Sequence, residues 1–323
     1  MSEAFKTRPR RLADDCGMDD TYFEPRFGLG LPAAVPDAPT MAVVEWAALG
    51  EELGFSSVGV IDRLVYDNLD PLVALAAAAA VTQRVELITT VLNVAWRQNA
   101  LTLAKQLASL DRISGGRLVA GLGLGGWPED YRESGASMEG RGATFDQMLD
   151  EMSRAWSGAV SGAGGPLPAL PTGRPALLFG GFAKRSYERV AELGSGWVAP
   201  LFGFDALLGG IASANAAWSK ADRPGRPRII VSRYFCLGTA ADATADEYIH
   251  HYYGDPYFAA ARADTITTER RLQHELESLR DAGCHDIVLM PCSADVDQVR
   301  RLASALDAVG EVLGQRPLVR ADQ

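Results

Sequence analysis

The sequence predicts a single (β/α)8 barrel of the TIM type with insertions in its β-to-α loops, and three observations carry that reading. Apolar strand-like runs alternate with longer segments of helical period, the pattern of a parallel sheet joined by crossover helices. Eight such pairs follow one another without a break in composition, the number a closed barrel requires. The chain has 323 residues, 47% hydrophobic and 22% charged, enough to bury one large core. Two doubly wound domains would also suit this length, but the unbroken alternation argues against a boundary between them.

The strand-like runs are 26–31, 57–61, 85–91, 117–123, 176–180, 196–199, 228–236 and 286–290. Helical patterns occupy 40–53, 71–82, 99–113, 140–156, 183–193, 204–220, 268–282 and 295–313. Helix punctuation supports several of them. Thr40 is placed to cap the first helix and Gly54 to stop it; Asp70 and Pro71 form an N-cap and first-turn pair, and Asp295 opens the last helix. Gly115 and Gly116 supply the positive φ needed to turn from the third helix into the fourth strand. The barrel therefore spans 26–313, between an N-terminal tail at 1–25 expected to be poorly ordered and a C-terminal tail at 314–323.

Two segments interrupt the alternation. The stretch 157–175 is rich in Gly, Ala and Pro and, as an α-to-β connection, belongs on the face opposite an active site. The stretch 237–267 is a long β-to-α excursion carrying Tyr252, Tyr253, Tyr257 and Phe258; such loops build the catalytic mouth, so it is a candidate lid.

Composition excludes several classes. With 31 Lys+Arg against 41 Asp+Glu the net charge is −10, which repels nucleic acid and anionic lipid, and no basic run offsets it. The longest apolar run, 72–81, is about half of the roughly 20 residues a membrane span requires, and the N-terminus lacks an apolar signal-peptide core. Cys16, Cys236, Cys284 and Cys292 show no C-x-x-C spacing, so a reducing cytoplasmic compartment is expected. Four histidines, of which His250 and His251 are adjacent and point apart, make no metal site. P-loop, zincin and α/β-hydrolase motifs are absent.

The chemistry-bearing residues cluster where the predicted strands end. Gly121-Leu122-Gly123-Leu124-Gly125-Gly126 satisfies G-x-G-x-x-G, yet it lies in the fourth unit and runs into Trp127-Pro128 before a helix starts, unlike a dinucleotide fingerprint. Its glycines either admit a planar ligand or permit tight strand packing. Gly180-Gly181-Phe182-Ala183, opening a helix that carries Ser186, suits a phosphate at a helix N-terminus. Asp62 and Arg63 close the second strand and Arg233 lies in the seventh, where a buried guanidinium needs an anionic partner: a ligand, or an internal carboxylate supporting the barrel. Thr89, Thr90 and Asn93 at the third strand offer uncharged hydrogen-bonding groups to a heteroaromatic ring.

The run Ala104-Lys105-Gln106-Leu107-Ala108-Ser109-Leu110-Asp111-Arg112-Ile113-Ser114-Gly115-Gly116-Arg117, followed by Gly121-Leu122-Gly123-Leu124-Gly125, resembles the bacterial luciferase-like family of flavin-dependent monooxygenases and F420-dependent oxidoreductases. The segment from Phe179-Gly180-Gly181 to Trp197 and the helix from Arg141 to Trp156 are similar to further stretches of that family. The resemblance implies a barrel holding an isoalloxazine ring at the strands' C-terminal ends, the cofactor phosphate at the helix after strand five, a non-proline cis peptide at Thr90-Val91, and a homodimer. It makes Asp62, Thr90, Val91, Gly123, Gly125, Gly180, Gly181, Phe182, Ala183, Ser186 and Trp197 the candidate cofactor residues. Trp127, Tyr131 and Tyr253 are the candidate substrate pocket, and Arg63, Arg233 and Asn93 the candidate catalytic groups. Members that dehydrogenate sugars or alcohols with F420 often carry Asp-His after strand two and a Glu in the strand-four loop; here these positions are Asp62-Arg63 and Gly126, and a guanidinium cannot accept a proton at neutral pH.

The expectation is a two-component monooxygenase that receives reduced FMN from a separate reductase and uses O2 on a small organic substrate. An F420-dependent reductase or dehydrogenase on the same barrel is the first alternative, and a catalytically idle flavin-binding barrel the second.

Overall fold

The computed structural model describes residues 24–167, 173–201 and 203–313. Eight parallel strands carry the fold: β1 (Arg26–Gly30), β2 (Ser57–Val60), β3 (Glu86–Thr89), β4 (Leu118–Gly123), β5 (Ala176–Gly180), β6 (Gly196–Ala199), β7 (Arg228–Phe235) and β8 (Asp286–Pro291). They run in the order β3-β2-β1-β8-β7-β6-β5-β4, and pairing of Leu87 with Leu118 and Ile88 with Val119 joins the two ends into a closed barrel. A two-residue extension, Leu92–Asn93, continues the β3 chain alongside Leu122 and Gly123.

Among the described residues, ten α-helices surround the barrel: α1 (Ala42–Glu52), α2 (Pro71–Val81), α3 (Ala100–Ile113), α4 (Pro128–Ser134), α5 (Arg141–Trp156), α6 (Lys184–Leu193), α7 (Phe204–Lys220), α8 (Ala241–Ala263), α9 (Glu269–Asp281) and α10 (Asp297–Leu313). Because side chains alternate along a strand, each strand feeds two cores. Ile88, Val119, Leu178, Val198, Ile230 and Val288 fill the barrel interior, whereas Leu87, Leu118, Leu177, Trp197, Ile229 and Ile287 pack outward against the helices.

Local chemistry explains most element ends. The Asp70 carboxylate accepts from the Leu72 N–H at 2.9 Å and the Val73 N–H at 3.2 Å, with Pro71 in the first turn. Gly54, Gly115 and Gly116 all adopt positive φ, as those turns require. Thr40 does not cap α1: the helix begins after Met41 with no side-chain cap. The Asp295 carboxylate accepts from the Asp297 N–H at 3.0 Å.

The largest departure from the sequence reading is the 237–267 segment. It is mostly a helix, α8, kinked at Gly254 (φ 64°, ψ 176°) just before Pro256. Before the kink its buried residues Ala241, Ala245, Tyr248, Ile249 and Tyr252 fall on one helical stripe, and Ala261 is buried beyond it. Alanine, histidine and tyrosine there weaken the apolar period that a helix normally shows in sequence. In the 157–175 connection, Ser161–Gly162 pairs with Gly165–Pro166 as an exposed hairpin. The two tails, Cys16 and residues 168–172 lie outside the described residues, apart from Glu24 and Pro25. Cys236, Cys284 and Cys292 are free and buried.

Candidate active site

The C-terminal opening of the barrel is framed by half-buried apolar side chains that pack on the interior core, one from each of several β-to-α loops. Val35 follows β1, Ile61 follows β2, Val91 follows β3, Trp127 follows β4, Leu201 follows β6, and Tyr253 arrives from α8. A ring of this kind gives a ligand apolar walls on most sides of a mouth that the loops already define.

Beneath it, the Thr90–Val91 peptide is cis, as the resemblance implied. The Val91 side chain occupies space that side chains on the neighbouring strands would otherwise fill. A Cβ on Gly123 would stand 2.5 Å from Val91 Cγ2, and one on Gly180 3.0 Å from Val91 Cγ1. These glycines thus serve both packing and access, since their missing side chains let Val91 form an apolar wall. Gly125 is packed against Asn93, where a Cβ would meet the amide carbon at 2.9 Å.

On the next strand, the Gly181 turn leads into α6, whose N-terminus at Ala183 has no side-chain cap. The Ser186 N–H donates to the Ala183 carbonyl at 2.8 Å, and the start of the helix lies beside half-exposed Gly181 and exposed Phe182, where the ends of first-turn N–H groups suit an anion. Ser186 is buried against Gly181, with Oγ 3.0 Å from where a Gly181 Cβ would stand. The Trp197 ring lies on the outer side of β6, fully buried, and its Nε1–H donates to the Gly181 carbonyl at 3.0 Å. Trp197 therefore positions the turn rather than reaching the mouth.

The polar groups after β2 and β3 are tied to one another. Asp62 accepts from the Asn93 N–H at 2.7 Å and from Arg97 at 3.1 Å, while the Asn93 amide donates to the Asp62 carbonyl at 2.9 Å. Burial pushes the Asp62 carboxyl up to about 6, against the opposing pull of Arg97 and the Asn93 N–H. The Thr89 and Thr90 hydroxyls donate to the Gly121 and Val60 carbonyls, so they hold the wall and are not presented to a ring. Arg97 escaped the sequence reading because it lies in a short 3-10 turn, Ala95–Arg97, with no periodic signal.

Arg63 reaches the mouth but its charge is matched there. Its guanidinium pairs with Glu129 at 2.6 Å and with buried Asp130 at 3.3 Å, and its carbon lies 3.9 Å above the Trp127 ring centroid. Of the two readings open for it, a ligand's partner or an internal ion pair, Arg63 takes the second and clamps the β2 loop to α4.

Arg233 is corrected more fundamentally. On β7 the inward residues are Ile230 and Tyr234, so Arg233 has the opposite parity and points out of the barrel. It pairs with Glu275 of α9 at 2.7 Å, both side chains being buried. The internal ion pair is what its burial required. Tyr131 is also displaced from the pocket: it packs with Ala95 and Trp96 beneath α4, and its hydroxyl donates to the Leu124 carbonyl.

Sequence reasoning missed Tyr66 and Tyr234, and placed Tyr252 only as part of the candidate lid. Tyr234 is the last inward position of β7, and its hydroxyl lies 3.2 Å from that of Tyr253. Strict alternation along 228–235 would have chosen Tyr234 over Arg233. Tyr66 and Tyr252 pack edge to face with centroids 4.9 Å apart, and depend on tertiary contact between the β2 loop and α8.

A closed barrel with an apolar mouth and a Gly-cleared wall at β3–β5 defines the class: a (β/α)8 barrel whose open, loop-framed end lies at the strands' C-terminal ends. The chain belongs to the luciferase-like monooxygenase family, whose profile matches residues 18–305. An uncharacterised protein of Mycobacterium tuberculosis is 28% identical over 174 residues, 50% of this chain and 61% of that protein. The chain thus spans less than two thirds of the length of that curated relative. A 5,10-methylenetetrahydromethanopterin reductase of Methanolobus tindarius is 33% identical over 115 residues, covering 36% of this chain and 32% of the enzyme. Among solved structures, a monooxygenase from Streptomyces bottropensis superposes with a TM-score of 0.73 at 24% identity, covering 87% of this chain and 98% of its own. The coenzyme F420-dependent tetrahydromethanopterin reductase of Methanopyrus kandleri gives a TM-score of 0.68 at 16% identity, with 87% and 97% covered. At these identities the superpositions show the fold. Among the described residues, no helix is long and apolar enough to cross a membrane, and no cluster of ligating side chains suits a metal.

Proposed function

We propose that this chain is a two-component monooxygenase that binds reduced FMN, delivered by a separate reductase, and uses O2 on a small organic substrate, working as a homodimer in the cytoplasm. The observation that carries the reading is the apolar ring around the mouth, set above the Val91 wall and beside the uncapped α6 N-terminus. Bound reduced flavin supplies the electrons and the site of O2 activation. The chain's own residues do the rest: Val91 backs the ring, the first turn of α6 with Gly181 and Ser186 holds the phosphate, and Trp197 fixes that turn. Val35, Ile61, Trp127 and Leu201 exclude water from the reacting atoms.

Direct dehydrogenation of an alcohol needs a base free to take the hydroxyl proton. Arg63 cannot accept one, Gly126 has no side chain, and Asp62 is engaged by Arg97 and the Asn93 N–H. These three positions therefore favour oxygen chemistry over dehydrogenation, and the imidazole beside the Tyr66 ring, His251, is engaged with the Tyr66 hydroxyl at 2.7 Å. The similarity to the Methanolobus reductase supports a second reading, a reductase that passes hydride to its substrate, for which F420 is the alternative cofactor.

Anaerobic fluorescence titration of the purified protein with FMN and F420, each oxidised and reduced, tests these readings. Tight binding of reduced FMN, followed by O2 uptake with substrate, is the expected result. Binding of F420 alone overturns it in favour of hydride transfer, and binding of neither leaves an idle barrel.

A further inference from the structure

We infer that the mouth selects a planar aromatic substrate that carries a hydroxyl or carbonyl oxygen and no anionic group, an inference that rests on the reading of the mouth as the substrate site. Three independent features point there. The side of the opening formed by α8 and the β4 loop is built from aromatic rings. Trp127 has the rings of Tyr252, Tyr253 and Tyr257 at centroid distances of 6.0, 6.1 and 6.1 Å, and Tyr234 meets Tyr253 at 6.0 Å. Trp127 and Tyr253 are half-buried and Tyr257 is exposed, so ring surface remains open to a ligand. Offset or edge-on stacking on such surfaces rewards a flat aromatic guest more than an aliphatic chain of equal area.

Charge is the second feature. Arg97 is engaged by Asp62 and Asp70, and Arg63 by Glu129 and Asp130, so both guanidiniums at the mouth are already taken by carboxylates. An anionic substrate would enter an apolar mouth whose two guanidiniums are already paired and would lose its hydration uncompensated.

The third feature is the hydroxyl pair of Tyr234 and Tyr253, 3.2 Å apart. Between two hydroxyls one proton bridges them, leaving the acceptor's own proton free to donate elsewhere. Burial pushes the Tyr253 phenol up to about 12 and that of Tyr234 well above its ordinary value, so both stay protonated donors at neutral pH. A substrate oxygen placed over the pair completes this donor chain, whereas a hydrocarbon leaves the donor unpaired.

Calorimetric titration of the full-length protein with 1-naphthol, naphthalene, 1-naphthoate and decanal tests the inference. The expected order has 1-naphthol about tenfold tighter than naphthalene, from one net hydrogen bond, and tighter than 1-naphthoate or decanal. In Tyr253→Phe, and separately in Tyr234→Phe in case the first variant folds poorly, the naphthol-to-naphthalene ratio should fall toward one while naphthalene affinity holds. Decanal or 1-naphthoate binding as tightly as 1-naphthol, or an unchanged ratio in both folded variants, overturns it. The cofactor titration of the unmodified protein is a separate readout, so failure of the flavin assignment and failure of this selectivity are told apart.

Discussion

Replacing Arg233 with Met separates a structural arginine from a catalytic one. Its guanidinium Nε lies 2.7 Å from Glu275 Oε1, with Arg233 2% and Glu275 6% exposed. The surroundings are poorly solvating: burial pushes the neighbouring Cys284 thiol up to about 12. Removing one member of a buried pair costs roughly 3 to 5 kcal/mol because the other charge is left uncompensated. Here Arg271 still lies 3.3 Å from the second Glu275 oxygen, so the lower end applies, about 3 kcal/mol. For a domain of this size that corresponds to a fall in Tm of about 6 °C. The double variant Arg233→Met with Glu275→Met should regain most of the loss, since an apolar pair of similar volume needs no counter-charge. Thermal melts of both single variants and the double variant give the coupling energy, and the cofactor titration reports the mouth. An R233M protein that melts like the parent yet binds no cofactor would refute the outward placement of this side chain.

Two further predictions probe the wall and the barrel floor. Gly123→Ala places a methyl 2.5 Å from Val91 Cγ2 and should push Val91 toward the cofactor side; cofactor affinity should drop at least about tenfold, with a stability loss of about 1 to 3 kcal/mol seen in denaturant melts. His285 is held down to about 4 by burial, and its Nδ1 accepts the Ile229 N–H at 3.1 Å, so the fold requires it unprotonated. The unfolded chain takes up this proton near pH 6.5 and the folded chain only near 4, so stability should fall as pH drops from about 6.5 to 4; a flat Tm across that window would show the histidine is not so held.

The family resemblance and the site are legible in different residues. The most recognisable run, from Ala104 to Arg117, lies on α3 and the turn into β4, far from the chemistry. There Arg117 donates to the carbonyls of Ala79, Thr82 and Val85, tying the end of α2 to the start of β3, and the Ala104 carbonyl accepts from Trp156 Nε1. Such residues specify how units of the barrel are joined, and for that reason they identify the scaffold without stating what it acts on.

By itself the sequence determined the barrel, because alternation of strand and helix periods and the caps at Asp70, Gly54 and Gly115-Gly116 are local properties of the chain. It also marked the glycine sites after β4 and β5, since missing side chains at strand ends are visible in one dimension. Only the tertiary structure decided which charges were free. Arg63 and Arg233 look alike in sequence, yet one is clamped by Glu129 and Asp130 from another loop and the other faces α9, partners 66, 67 and 42 residues away. How the aromatic side of the mouth assembles was hidden for the same reason: Tyr66, Trp127 and the pair Tyr234 and Tyr252 come from three separate units, and only closure of the barrel brings their rings together.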